Sequence, residues 1–261
     1  MQIKILGCSG GIGNHLRTTS MLVDDDILID AGTGVGDLSM EALLKIDHIF
    51  LTHSHLDHIA FIPFLLDTVM GFRQEPITIH ASTETITALR EHIFNWKIWP
   101  DFNRIPNAKH PFLLYNEIKL GETVTFKGRT FSPLPANHVV AAMGYLVDSG
   151  NNSLVFTGDT TCCDALWDEV NKVKKLKYLI IETAFSNGEY ELAALSKHLC
   201  PSMLISELNK LNLDSVKAAE ELEVYITHLK PGEGETIMQE IAESALTFPI
   251  SALLHGQVFK L

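Results

Sequence analysis

A chain of 261 residues with 46% apolar side chains can fill a sizeable core, and its formal charge of −12 leaves too little clustered cation for broad contact with nucleic-acid phosphates. No uninterrupted apolar run approaches the roughly 18 to 20 residues of a membrane span, and the opening MQIKIL lacks the basic start and long apolar stretch of a secretory signal. Four cysteines (Cys8, Cys162, Cys163, Cys200) form no Cys-x-x-Cys pair. These features predict one domain over residues 1–261, soluble in the reducing cytoplasm, with no membrane and no stable nucleic-acid partner.

Alternating patterns predict strands over 2–7, 20–23 and 27–30, the last two joined by a turn at Asp24, Asp25 and Asp26. The intervening GCSGGIGNHLRTTS lacks the Gly-Lys-Ser/Thr of a phosphate-cradling loop, so it reads as a tight turn near a cleft. In that loop His15 has no assigned role, and Arg17 is a candidate contact for an anionic substrate. A buried strand over 46–52 precedes a helix over 59–70 with Pro63 in its first turn, where the missing N–H is tolerated. Next come a strand over 77–80, an amphipathic helix over 83–95, and an aromatic stretch, WKIWPDFNRIPNAKHPF, that reads as an insertion over one face. Strands over 122–132, 143–148 and 153–157, a helix over 163–175 and a strand over 177–182 follow. Helices over 189–197 and 201–211, a strand over 223–227 and a helix over 234–244 complete the pattern. Strands fill both halves and helices follow them, which predicts two packed sheets with the helices outside.

The chemistry concentrates behind the strand at 46–52, where THSHLDH places His53, His55, Asp57 and His58 on a short loop entering a helix. Imidazole and carboxylate suit zinc and similar borderline divalent ions. Residues 53 and 55 are spaced to share one ion, while 57 and 58 project elsewhere toward a second. More ligands stand at the ends of later strands: His138 in LPANHVV, Asp159 in LVFTGDT and His228 in VYITHLKPG. The resulting assignment is His53, His55 and His138 on one ion, Asp57, His58 and His228 on the other, and Asp159 bridging, as a carboxylate can between ions about 3.5–4 Å apart. His48, His80, His92, His110 and His255 have no ligand-like context.

With THSHLDH, His138, TGD and THLKP in this order, residues 1 to about 230 resemble the metallo-β-lactamase superfamily. The resemblance implies an α/β (α+β) fold, a four-layer αββα sandwich of two mixed sheets with helices on the outer faces and a dinuclear site at one edge. Within the superfamily, the Glu182-Thr element followed by SKHLCP around His198 looks like the class II 3′,5′-cyclic-nucleotide phosphodiesterases, and Leu56 matches their signature where tRNase Z usually has Gly. Phe61 stands where that signature has a small residue, and its Ser-Ala or Ser-Pro continuation is absent, which marks a divergent branch. A homodimer is expected from the same relatives.

The implied reaction is hydrolysis of cyclic AMP or cyclic GMP to the nucleoside 5′-monophosphate by a hydroxide on two divalent ions, zinc first and manganese or iron as alternatives. His198, oriented by Glu182, would protonate the leaving O3′, and Asp57 would serve both as ligand and as hydrogen-bond partner of the nucleophile. Asp30 is read either as orienting a ligand histidine or as a plain turn residue. Phe185, Trp96, Trp99 and Phe102 are candidates for stacking on the base, or for the core. The rival readings are a tRNase Z-like endonuclease, whose basic protruding arm is missing here, a thioesterase or lactonase of the same fold, and a metal-dependent sensor without catalysis.

Overall fold

The computed structural model describes residues 1–212, 222–244, 246 and 249–261. The N-terminal half forms β1 (Gln2–Gly7), β2 (Ser20–Val23), β3 (Ile27–Ala31), the short helix α1 (Met40–Leu43), β4 (His48–Phe50), α2 (Leu56–Ile59), α3 (Ile62–Val69), β5 (Ile77–Ala81), α4 (Thr83–Ala88), a small hairpin of β6 (Pro106–Asn107) and β7 (His110–Pro111), and β8 (Leu113–Glu117). The second half contributes β9 (Val124–Phe126), β10 (Arg129–Pro135), β11 (Met143–Asp148), β12 (Ser153–Phe156), α5 (Asp164–Val170), β13 (Leu176–Glu182), α6 (Tyr190–Ser196), α7 (Pro201–Leu208), β14 (Glu223–Thr227), α8 (Gly234–Ala242) and β15 (Ile250–Ala252). The closing strand β16 (Val258–Lys260) returns to pair with β1.

Two seven-stranded sheets result, in the orders β16-β1-β2-β3-β4-β5-β8 and β15-β14-β13-β12-β11-β10-β9. Successive side chains on a strand face opposite ways, and here both faces are apolar. Ile27, Ile29, Met21 and Val23 therefore enter the core between the sheets with Phe131, Tyr145, Val147 and Ile180, while Leu22 and Leu28 pack outward against α3 residues Leu65, Leu66 and Val69. On the other outer face, Val155, Leu179 and Ile181 meet Trp167 of α5, Leu204 of α7 and Ile237 of α8. The layers are αββα. No described helix is long and apolar enough to cross a membrane.

Several boundaries differ from the sequence reading. The run 122–132 is two strands, because Lys127 (φ 49°) and Gly128 (φ 81°) both take the left-handed conformation of a tight hairpin turn. The helix expected over 59–70 is broken between α2 and α3, although Pro63 does lie in the first turn of α3. Phe61, at the break, fits because Gly36 faces its ring: a Cβ at Gly36 would lie 2.4 Å from Phe61 Cε1. The helix over 83–95 is α-helical only to Ala88 and continues as a π-turn over Leu89–Ile93. The aromatic stretch after it supplies core: Phe102 is 1% exposed and Trp99 packs against the same cluster, so Phe102 is no stacking platform, whereas Trp96 is exposed.

The acidic turn 24–26 has a structural task. Arg129 donates to both Asp26 oxygens, one at 2.9 Å, and to Asp24 at 3.2 Å, and Lys127 reaches Asp26 at 3.0 Å. These bonds tie the β2–β3 turn of one sheet to the β9–β10 turn of the other. Hydrogen bonding from Arg129, chiefly, holds the Asp26 carboxyl down at about 2.

A second internal polar group predicts acid sensitivity. His80 lies stacked on Phe50, accepts at Nδ1 from Asn116 Nδ2 at 2.9 Å and donates from Nε2 to His48 Nδ1 at 3.1 Å. Burial, with His48 adding to it, pushes His80 down to about 3. Unfolded, the same imidazole titrates near 6.5, so the unfolded chain binds more protons between those values and stability falls as pH drops through that window. Chemical denaturation at pH 7 and pH 4.5 should show a loss on the order of 1–3 kcal/mol from this group. His80→Gln keeps polar partners without titrating and should flatten that slope; an unchanged slope would refute the assignment.

Candidate metal centre

The strands β3, β4, β12, β13 and β14 run so that their C-terminal ends meet along one rim of the sandwich, with the end of β10 beside them. Ends of parallel strands are where open α/β sheets place ligands. His53 and His55 leave β4, Asp57 and His58 occupy the first turn of α2, His138 follows β10, Asp159 follows β12, Glu182 ends β13 and His228 follows β14.

The structure brings the seven predicted side chains into the same two groups proposed from spacing. His53, His55, His138 and Asp159 form one group and Asp57, His58, Asp159 and His228 the other, with candidate ligand atoms within 4.8 Å of one another in each. Asp159 is common to both. Its Oδ2 lies 3.7 Å from His53 Nε2 and 3.3 Å from His58 Nε2, and its Oδ1 lies 3.2 Å from His228 Nδ1. Asp57 Oδ2 is 3.7 Å from His58 Nε2 and 3.8 Å from His228 Nε2, and its side chain is 28% exposed, so it faces the open cleft.

On His53, His58 and His138 the other ring nitrogen is already committed. His58 Nδ1 donates to Asp30 Oδ2 at 2.7 Å; Thr52 Oγ1 donates to the same oxygen at 2.8 Å and lies 3.0 Å from His53 Nδ1. His138 Nδ1 donates to the Lys197 carbonyl at 3.0 Å. Such bonds fix which nitrogen is left to bind a cation. Among the described residues, His53 Nε2, His58 Nε2 and His228 Nδ1 are buried without a hydrogen-bond partner, and all three point at Asp159. A buried polar atom with no partner costs about 1–3 kcal/mol, and three converging on one carboxylate fit divalent cations.

The electrostatics of three of the rings and of the shared carboxylate agree with that fit. Burial pushes His53 well below its usual range, His138 to about 4 and His228 to about 3, so these rings are neutral and able to donate lone pairs. Burial opposes ionisation of Asp159, but His228, His58 and His53 reverse the effect and hold its carboxyl well below the usual range. Burial would depress His58 too; Asp159 and Asp30 on either side raise it instead.

Local backbone strain serves this arrangement. Asp30 (φ 56°) and His228 (φ 64°) are non-glycine residues in the left-handed region, a conformation that costs on the order of 1–3 kcal/mol. Gly158 (φ 62°), just before Asp159, leaves no room for a side chain: a Cβ would lie 2.8 Å from the Met143 carbonyl oxygen.

Glu182 and His198 meet at the same rim. His198 Nδ1 donates to Glu182 Oε1 at 2.7 Å, and the backbone N–H of Thr160 donates to that oxygen at 3.0 Å. The His198 ring centroid lies 4.9 Å from that of His138 and 5.0 Å from that of His228. Burial lowers His198, yet the Glu182 carboxylate more than compensates and raises it; burial raises Glu182.

Other sequence candidates land elsewhere. Arg17 is held by Asp37 at 2.7 and 3.1 Å instead of standing free for an anion. His15 is exposed, and Asp30 takes the orienting role through His58. Phe185 is the aromatic at the site, its ring edge-on to His198 at 5.8 Å. Sequence reasoning missed Thr52, although it stands inside the quoted motif, and missed Lys197 and Lys230, which lie directly beside His198 and near His228. Lys230 Nζ donates to the Gly10 carbonyl at 2.9 Å and lies 3.4 Å from His228 Nε2. A groove of about 520 Å³ opens beside His138, lined by Ser82, Ile118, Asn137, Val140 and Met143 among others.

A "Probable 3′,5′-cyclic-nucleotide phosphodiesterase" of Yersinia pestis is 28% identical over 205 residues, 72% of this chain and 58% of that protein. A ribonuclease Z of Haloarcula marismortui is 29% identical over 156 residues, 57% of this chain and 47% of its own. The chain therefore spans only about half the length of these relatives. Unliganded yeast PDE1 superposes with a TM-score of 0.82, covering 100% of this chain and 99% of that one at 20% identity, which is a likeness of fold. The profile of the beta-lactamase superfamily domain matches residues 25–248, and with the αββα layers and the His/Asp rim it places the chain in the metallo-β-lactamase superfamily.

Proposed function

We propose that the chain is a metal-dependent phosphodiesterase that hydrolyses 3′,5′-cyclic nucleotides to nucleoside 5′-monophosphates, with the seven clustered side chains holding two divalent ions, zinc first. The observation that carries the phosphodiester reading is the Glu182–His198 pair, set at 2.7 Å beside the cluster and separate from it. An alkoxide leaving group needs a proton, and such a pair supplies one; a thioester, whose thiolate leaves readily, does not require it. The Yersinia relative's name and the net charge of −12 support the cyclic substrate over a polynucleotide.

Two divalent ions bound at these residues would supply positive charge for the phosphoryl oxygens and would acidify water. The chain's own groups do the rest. Asp57, partly open to the cleft, accepts a hydrogen bond from the attacking water and orients it. The attacking water loses one proton to solvent as it becomes a hydroxide nucleophile; as its oxygen bonds to phosphorus and the P–O3′ bond breaks, His198 gives its Nε2 proton to O3′, while Glu182 keeps Nδ1 engaged and the imidazole charged until that moment. The groove beside His138 offers space for the nucleoside.

The deciding assay sets metal-reconstituted protein against cyclic AMP and cyclic GMP beside a precursor tRNA. Cyclic-nucleotide turnover with intact tRNA is the expected result. Cleavage of tRNA with both cyclic nucleotides untouched would overturn the substrate assignment in favour of the RNA-processing branch.

A further inference from the structure

Three separate loops carry His138, Asp159 and His198, and none is held by sheet hydrogen bonds at the rim. What sets their mutual position is a small polar hub. Asn137 donates from Nδ2 to the Cys162 carbonyl at 3.0 Å, its backbone N–H donates to Thr160 Oγ1 at 2.9 Å, and its own carbonyl accepts from Thr161 N–H at 2.8 Å. Four bonds thus span two loops, because its amide oxygen also accepts from Lys197 Nζ at 3.1 Å. Lys197 spends a second proton on the His138 carbonyl at 3.1 Å, while its own carbonyl accepts from His138 Nδ1 at 3.0 Å.

Lys197 is unusual in its backbone as well. It caps the C-terminus of α6 in the left-handed conformation (φ 54°), which costs a residue with a side chain more than it would glycine. That turn places its carbonyl against His138 and delivers the next residue, His198, onto Glu182. Lysine at a position where glycine is easier brings an ammonium to this turn, and the two bonds above engage it.

We infer that Asn137 and Lys197 form a latch that positions His138 against Asp159 for one ion and, through the same residue, His198 for the leaving group. They are positioning residues: neither belongs to the two ligand groups. The inference rests on the reading of the cluster as a two-ion site, but not on the identity of the substrate. It has a directional consequence. Among the ligands, His138 is the one the latch bonds directly, so the group it forms with His53, His55 and Asp159 depends on the latch most, whereas Asp57, His58 and His228, which share Asp159 with that group, are held by α2, by Asp30 and by the Cys8 carbonyl, which accepts from His228 N–H at 2.8 Å.

The test uses Lys197→Met, Asn137→Ala and Lys197→Arg in the full chain. Protein freed of metal by chelation is titrated with Co²⁺, whose visible absorption reports each coordination step, and with Zn²⁺ against a chromophoric chelator. The two disruptive variants should lose about 10–100-fold in affinity at one step and stay within about threefold of the parent at the other, with Lys197→Arg recovering most of the loss. Melting of the metal-free protein should change little. Two results would overturn the latch: parental affinities at both steps, or equal weakening at both together with a marked drop in metal-free melting temperature, which is the signature of a general packing role. A parent chain that binds no ion at all would overturn the two-ion reading and the latch with it, whereas inactivity on cyclic nucleotides with the stepwise pattern intact would count against the substrate alone and support the latch.

Discussion

Asp159→Ala should release both ions and abolish turnover together. One carboxylate reaches His53, His58 and His228 within 3.2–3.7 Å and belongs to both ligand groups, so its removal strips each site of an anionic donor at once. Loss of transition-state charge stabilisation worth several kcal/mol corresponds to a fall in kcat/KM of about 10³-fold or more, at about 1.4 kcal/mol per tenfold. Metal content by atomic absorption should drop from two ions per chain to less than one. Since ligands that bind only the native state raise its stability, chelation should lower the melting temperature of the parent and leave that of the variant unmoved. Asp159→Asn, which keeps the shape and removes the charge, should behave like the alanine variant. Retention of two ions by either would show that Asp159 does not bridge.

How much of this was legible in the sequence follows from range. Two-sided burial writes itself locally, as in Ile27, Leu28 and Ile29, where neighbours serve different cores, so the strands and their packing into two sheets could be read from short windows. The clustered side chains were legible for a related reason: they gather where apolar runs end, and all seven are histidine or aspartate at positions that a solvated loop has no need to fill with them. What escaped was marked by contacts far apart in the chain. β16 is three residues long and exists because it pairs with β1, more than 250 residues away; β8 is an edge strand with mostly exposed side chains that followed an aromatic stretch. Neither has a periodicity of its own to find.

Asp30 shows the same boundary at the level of one residue. Its position after ILI suits a turn or an orienting carboxylate equally well, and the choice depends on whether His58, 28 positions later, comes within hydrogen-bond distance. Arg17 illustrates the converse. A cation near a predicted cleft invites an anionic substrate, but Asp37, 20 residues on, already occupies it. Sequence spacing identifies which groups are able to act, and tertiary contacts decide which are free to do so.

His198→Ala should keep its metal and lose turnover, which separates it from Asp159→Ala. The ring is outside both ligand groups, and its bond to Glu182 directs it to proton transfer, so kcat on a cyclic nucleotide should fall by about 10²–10⁴-fold at unchanged metal stoichiometry. With a nitrophenyl phosphodiester the defect should shrink to within about tenfold, because a stabilised phenolate leaves without a proton. The pH profile provides an independent sign. His198 acts as an acid only while protonated, and the neighbouring Glu182 carboxylate raises its pKa, so activity is present below that raised value and is lost as pH rises through it. Glu182→Gln removes the charge that raises it, and the alkaline limb should move to lower pH. If His198→Ala kept full kcat on the cyclic substrate, the acid would have to be another group. If Glu182→Gln left the limb in place, a different titration would be limiting, and the pair would be structural.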